Sequence, residues 1–232
     1  MRSELWLGLL LTVAVYYAAK LLHRRYSTVW LSPLIVTPVI IIVILKLTGI
    51  SYSHYNSSAK VLTDMLQPAT VAFAVPLYKY FSMLRKHAAA IMLSVCAGSL
   101  IAIGSSMLLG KLTKLSGTLA DSIVPHSVTT PIAMHVSQMI GGIPAFTAAV
   151  VMITGIFGAL AGPYLIRWLR IRSSMAQGLM LGTSAHGAGT ARAFEYSHEA
   201  GTAASLAMII AAIFTQLAAP WLLNSITLYI HF

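Results

Sequence analysis

The chain has 232 residues, of which 58% are hydrophobic and only 9% charged, with a formal charge of +10. Soluble domains carry about 25% charged residues, so this chain cannot cover itself with a polar surface, and a membrane protein is the reading that remains. The excess positive charge does not indicate nucleic acid: the basic residues cluster at the ends of apolar runs, as membrane orientation requires, and no polar face interleaves them with aromatics. The single cysteine, Cys96, lies within an apolar run and can form no intramolecular disulfide.

In chain order, Leu5 to Leu22 is long enough to span at ~1.5 Å per residue, with Lys20, His23, Arg24 and Arg25 at its end. No small-residue cleavage site follows the apolar run, so no cleavable leader is expected. Leu31 to Leu47 is a second span, with Pro33 near its start and Pro38 inside it. Ser51 to Ala59 reads as a polar loop, with Tyr52 and Tyr55 at interfacial depth. Val61 to Leu84 is apolar but interrupted: Pro68 and Pro76 each remove a backbone donor, and Asp64, Gln67 and Thr70 lie by the break. Ala88 to Leu109 is a plain span whose Ala97, Gly98, Gly104 and Ser105 permit close helix contact. Ser116 to Ile140 is interrupted again, with Pro125 and Pro131 bracketing His126 to Thr130. Ile143 to Ile166 and Thr202 to Leu223 are full spans.

Between those last two spans lies LMLGTSAHGAGTARAFEYSHE, residues 179–199. Polar, glycine-broken backbone at membrane depth is tolerated only when protein shields it or it lines a wet cavity. This stretch is therefore a candidate binding loop, expected to have arms Ser173–Leu181 and Ala191–Glu199. Charge parity supports that layout. Nine of the fifteen Lys and Arg lie in three clusters, Lys20–Arg25, Lys79–Lys86 and Arg167–Arg172, which the positive-inside rule puts on one side. An even number of crossings must then separate the second cluster from the third, so Ser116–Ile140 has to enter and leave on the same side. The expected fold is all-α: one polytopic membrane domain over 1–232, with about five to six full spans plus discontinuous or re-entrant helices. Two hairpins would enter from opposite faces with their tips meeting mid-membrane, a transporter-like arrangement. A weak echo, L-x-D-x-[LI]-x-P-x-[ST]-V at 62–71 and 119–128, fits either duplication or convergence.

Half-helix N-termini offer free N–H groups and a positive dipole end to an anion. Pro131 suits the first position of a half-helix, with Thr129 and Thr130 as cap candidates and Ser127 just outside; Thr190 could cap the other. Such hydroxyls can equally do no more than satisfy backbone. Arg192 has the fork that fits a carboxylate, or it pairs with Glu195 at i,i+3. His186 and His126 could bond substrate or carry a proton, or sit neutral against backbone. Asp64, His126 and Glu195 are the proton-coupling candidates. No H-E-x-x-H, G-x-S-x-G or P-loop is present, so an enzyme is not expected, and neither metal nor cofactor is assigned.

GTSAHGAGTARAFE, PHSVTTPIAM, LQPATVAFAVPLY and TGISY together resemble the LrgB/CidB family of bacterial membrane proteins, which has plastid relatives that move glycolate and glycerate. The likeness covers nearly the whole chain. It implies a multi-pass protein of the bacterial cell membrane, holin-like or antiholin-like, that modulates murein hydrolase activity and autolysis. It also implies an LrgA/CidA-type small membrane partner and links to pyruvate or related monocarboxylates. His126 stands where many members have lysine or arginine, so a permanent charge is not expected there; Ser32 replaces an asparagine before Pro33. The expected function is a carrier for a small organic anion such as pyruvate, glycolate or glycerate, working in the lipid bilayer as a homo-oligomer. The anion would bind among Ser127, Thr129, Thr130, Thr183, Ser184, His186 and Thr190, with Arg192 as counter-charge. The alternative is a pore-forming or regulatory membrane protein with no saturable site.

Overall fold

The computed structural model describes residues 7–26, 31–65, 68, 71, 72 and 74–230, leaving aside the side chains of Leu34, Pro76, Leu77 and residues 224–230. The helices among them are α1 (Leu7–Tyr26), α2 (Pro33–Thr48), α3 (Tyr52–Asp64), α4 (Ala74–Lys79), α5 (Phe81–Lys86), α6 (Ala88–Leu112), α7 (Gly117–Ile123), α8 (Thr130–Met139), α9 (Pro144–Trp168), α10 (Ser174–Tyr196) and α11 (His198–Ile230). No strand occurs among the described residues, so the all-α expectation holds. Among the described residues, three helices are long and apolar enough to cross a membrane by length and composition: α6, α9 and the first 26 residues of α11. By contrast α2, at 16 residues, is about 24 Å long against a ~30 Å hydrocarbon core.

The chain forms two compact units, residues 1–71 and 72–232. In the first, α1 packs on α2 and α3. Ser51–Ala59, expected as a polar loop, is instead most of α3. The Ser51 hydroxyl caps that helix by accepting from the His54 N–H at 3.3 Å. Its polar face is matched by α1: Gly8 N–H donates to Ser58 Oγ at 3.1 Å, and Thr12 Oγ1 lies 2.7 Å from Tyr55 Oη. Tertiary polar contacts overrode a composition that reads as loop. Ser32 occupies the N-cap position of α2, but its side chain makes no capping bond. Gln67 and Thr70 lie outside the described residues, as does part of the 62–71 copy of the internal echo.

The second unit holds two reversals of the chain. The first is α7–α8. α7 runs back along α6: a Cβ on Gly110 would lie 3.0 Å from Ala120, and farther along His126 Nδ1 is 2.8 Å from Ser106 Oγ. α8 then returns, and its far end meets α7 again at the start of α9. There Ser122 Oγ accepts from the Ile143 N–H at 2.7 Å, while Thr147 Oγ1 lies 2.8 Å from the Ser122 carbonyl and 2.7 Å from Ser137 Oγ. All three side chains are buried. This network ties the base of the hairpin to α9.

The second reversal is inside α10, where Ala185 (φ −132°, ψ 16°) and His186 (φ 39°, ψ −121°) leave helical geometry. The segments 174–184 and 187–196 fold back on each other, so that a Cβ on Gly189 would run into the Leu181 carbonyl. The arms are longer than the sequence suggested, and the nine-residue glycine loop shrinks to two residues. Two of its glycines, Gly182 and Gly189, lie in helical segments and make room for neighbours: a Cβ on Gly182 would strike the Ala204 carbonyl of α11. α11 starts beside the base of this hairpin, capped by Ser197 Oγ accepting from the Ala200 N–H at 3.0 Å, with His198 edge-on between Tyr80 and Phe194.

The two reversals enter from opposite ends of α9. The first is bonded to Thr147 near its start; the second packs Leu181 against Gly162 and Ala185 against Gly158 nearer its end. Because α7 retraces α6, the Arg85–Lys86 and Arg167–Arg172 clusters fall at the same end of this unit, as charge parity required.

Candidate functional site

The two tips meet on Val151 of α9. His186 Nε2 lies 3.1 Å from the Val151 carbonyl, and Val128 of the other tip shares one buried apolar cluster with Val151. A carbonyl only accepts, so His186 carries its proton on Nε2 in that bond. Its φ of +39° is in a region that disfavours a side chain, at a cost of about 1–3 kcal/mol. The Val151 bond and the ring's fit against Gly155 hold it there.

Beside this junction a cavity of about 530 Å³ opens between the first tip, α6 and the first arm of α10, within the size range of small-molecule sites. Its polar lining comes from His126 and Ser127, from Thr183 and Ser184, and from Ser94 and Ser105 of α6. His126 is oriented from behind. Nδ1 approaches Ser106 Oγ and the Ile123 carbonyl at 2.8 and 3.1 Å, while the Ser106 hydroxyl lies 2.9 Å from the Ala102 carbonyl. With the serine proton directed to Ala102, Nδ1 is the donor, and Nε2 is left as the acceptor.

Ser127 and Thr129 are buried, and their hydroxyls make no hydrogen bond among the described residues. Thr129 is the N-cap of α8 but does not cap through its side chain. The structure thus departs from the sequence reading by one residue: Thr130 opens the helix and Pro131 is its second residue. First-turn amides have no intrahelical partner, so the α8 N-terminus and the start of 187–196 both bring donors to the junction.

The other sequence-selected residues lie elsewhere. Thr190 is no cap: it sits within the second arm, buried, with its hydroxyl 3.9 Å from Met208 Sδ. Arg192 and Glu195 pair on one helix face, and the buried Nε of Arg192 has no partner; neither residue lines the cavity. Asp64 closes α3 and is exposed. In the sequence, α6 reads as a plain span in which Gly98 and Ser105 serve close helix contact and Ser94 goes unmarked, yet all three line the cavity. Their i, i+4, i+11 spacing puts them on one helix face, the signal that was there to find. Among the described residues no group of three His, Cys, Asp or Glu side chains could hold a metal ion.

A profile of the LrgB-like family matches residues 12–225. The chain belongs to the LrgB-like family. YwbG of Bacillus subtilis is 54% identical over 94% of this chain and 96% of its own length. The antiholin-like protein LrgB of Bacillus subtilis is 32% identical over 93% and 94%, and the holin-like protein CidB of Staphylococcus aureus 32% over 94% and 95%. No solved structure matches the chain. The LrgB-like match runs across both units and every candidate residue named above.

Proposed function

We propose that this LrgB-like protein is a multi-pass carrier of small monocarboxylates in the bacterial cell membrane, with five to six crossings and two hairpins that enter from opposite sides. The observation that carries the reading is the cavity at the junction of the tips, lined by hydroxyls and one histidine in an otherwise apolar bundle. Buried polar groups without partners cost free energy, so their retention beside a cavity favours a polar ligand. A carboxylate would accept from Ser127, Thr183 and the α8 N-terminus, where Thr129 and Thr130 stand, and from Ser184 once its hydroxyl turns away from the Met180 carbonyl to which it donates at 2.7 Å. His126 Nε2, once protonated, would add a charged donor. His186 and Thr190 support the second tip. Arg192, whose Nε is unused, is the counter-charge recruited when its pair with Glu195 opens, and Asp64 and Glu195 remain candidates for carrying protons. Moving such anions changes wall chemistry, which connects the carrier to control of murein hydrolase activity and autolysis. An LrgA/CidA-type small membrane protein and further copies of this chain are the proposed partners.

Uptake of labelled pyruvate, glycolate and glycerate into proteoliposomes tests the reading. Saturable flux above empty vesicles is expected, and flux equal to them would end it. The names of the relatives favour a second reading, a holin-like or antiholin-like component without a saturable site. It predicts dye leakage that does not discriminate among solutes of similar size.

A further inference from the structure

Four buried hydroxyls in the second unit make no hydrogen bond among the described residues: Ser99, Thr215, Ser127 and Thr129. Their exposures are 0%, 0%, 3% and 6%. In helices such side chains normally return a bond to the carbonyl four residues earlier, as Ser106 and Ser122 do here. These four do not, and the apolar residues that flank them place them near one level of the bundle. On α6, Ser99 stands one turn from Val95 and one turn from Ile103. On α11, Thr215 stands one turn from Ala211 and one from Ala219. The first tip runs from Val124 through Ser127 to Val128 and Thr129. Val95, Val128 and Ala211 belong to one apolar cluster, and Ile103, Val124 and Ala219 to another. Each of the three elements therefore contributes to both clusters and places an unpartnered oxygen between them. α11 packs directly on α6 and α8.

We propose that this layer binds a dehydrated sodium ion, held by the hydroxyls of Ser99, Ser127, Thr129 and Thr215 and by carbonyls of the unwound 124–129 backbone. The donors are all hard, neutral oxygens, which suit alkali and alkaline-earth cations rather than transition metals. No carboxylate belongs to the set, so nothing offsets a second positive charge, and the ion is monovalent. Unwound carbonyls at a broken helix are a recurrent way to coordinate sodium within a membrane. Ser127 also lines the cavity, so an ion in the layer would adjoin a carboxylate in the cavity, and the two charges would offset each other. Use of the ion for coupling rests on the carrier reading; its binding does not.

Thermal unfolding of the purified full chain in detergent tests the site, in sodium chloride against potassium and choline chloride at equal ionic strength. A ligand at a hundredfold its Kd raises Tm by about 5 °C or more in a chain of this size. That rise is expected in sodium and not in the other salts. Ser99→Ala and Thr215→Val, which lie outside the cavity lining, should fold and elute as wild type and lose the rise. Thr37→Val removes a comparable unpartnered hydroxyl in the other unit and should keep it. Equal Tm in all three salts, an equal rise in potassium, or a sodium rise that survives in Ser99→Ala and Thr215→Val would overturn the proposal. The readout needs no anion flux, so an inactive carrier that still responds to sodium separates the two failures.

Discussion

Gly155→Ala is the sharpest test of how the second tip is held. A Cβ at 155 would sit 2.7 Å from His186 Cε1 and 3.1 Å from Nε2. The ring has to move, and the 3.1 Å bond to the Val151 carbonyl goes with it. Losing a buried hydrogen bond costs about 1–3 kcal/mol, and overpacking a further ~1–3 kcal/mol. Alanine's helix propensity returns about 1 kcal/mol. The balance centres near 3 kcal/mol, or a fall in Tm of roughly 6–12 °C for a chain of this size. Gly104→Ala is the matched control: nothing lies within 4 Å of its Cβ, so only the propensity gain remains and Tm should rise by about 2–4 °C. Thermal unfolding in detergent reads both. Adding His186→Gly, which removes the ring and suits the positive φ, should cancel most of the Gly155→Ala cost in a double-mutant cycle. Equal Tm for the two alanine variants, or additivity in the cycle, would refute the contact.

Ser127→Ala removes a hydroxyl that satisfies nothing in the fold, so Tm in the absence of sodium should hold or rise while monocarboxylate affinity falls about tenfold; a large loss of Tm would show that the hydroxyl is structural. Thr147→Val keeps the shape but takes a donor from the buried Ser122–Ser137 network, and should cost about 2–3 kcal/mol in chemical denaturation. Arg192→Ala should leave the fold intact, since an exposed pair at i,i+3 contributes only a few tenths of a kcal/mol, yet abolish saturable uptake. Full uptake in that variant removes Arg192 from the site.

The long apolar helices and the break at Pro125–Pro131 were legible in the sequence because span length and paired prolines are local signals. Charge parity went further and required Ser116–Ile140 to reverse, and α7 and α8 do turn back within their unit. The glycines of 182–189 were less readable. A glycine that breaks a helix and one that lets a neighbouring carbonyl approach look alike in sequence, and Gly182 and Gly189 are of the second kind. α3 was hidden because its polar face is satisfied by Gly8 and Thr12 of a distant segment. Within the candidate site, the tip residues Ser127, Thr183 and Ser184 stood out against apolar surroundings. Ser94, Ser99, Ser105 and Thr215 did not: a hydroxyl in a long apolar helix usually bonds its own backbone, and only the packing shows which ones do otherwise.

The claim on which the account depends is that a small carboxylate occupies the cavity between the first tip and the first arm of α10. Substrate protection of a single thiol tests it directly, using Thr183→Cys in a Cys96→Ala background and a small maleimide, with and without pyruvate, glycolate or glycerate. At least one of these anions should slow the labelling in a saturable way, while acetamide at the same concentration does not. Labelling at one rate whatever anion is present would contradict it.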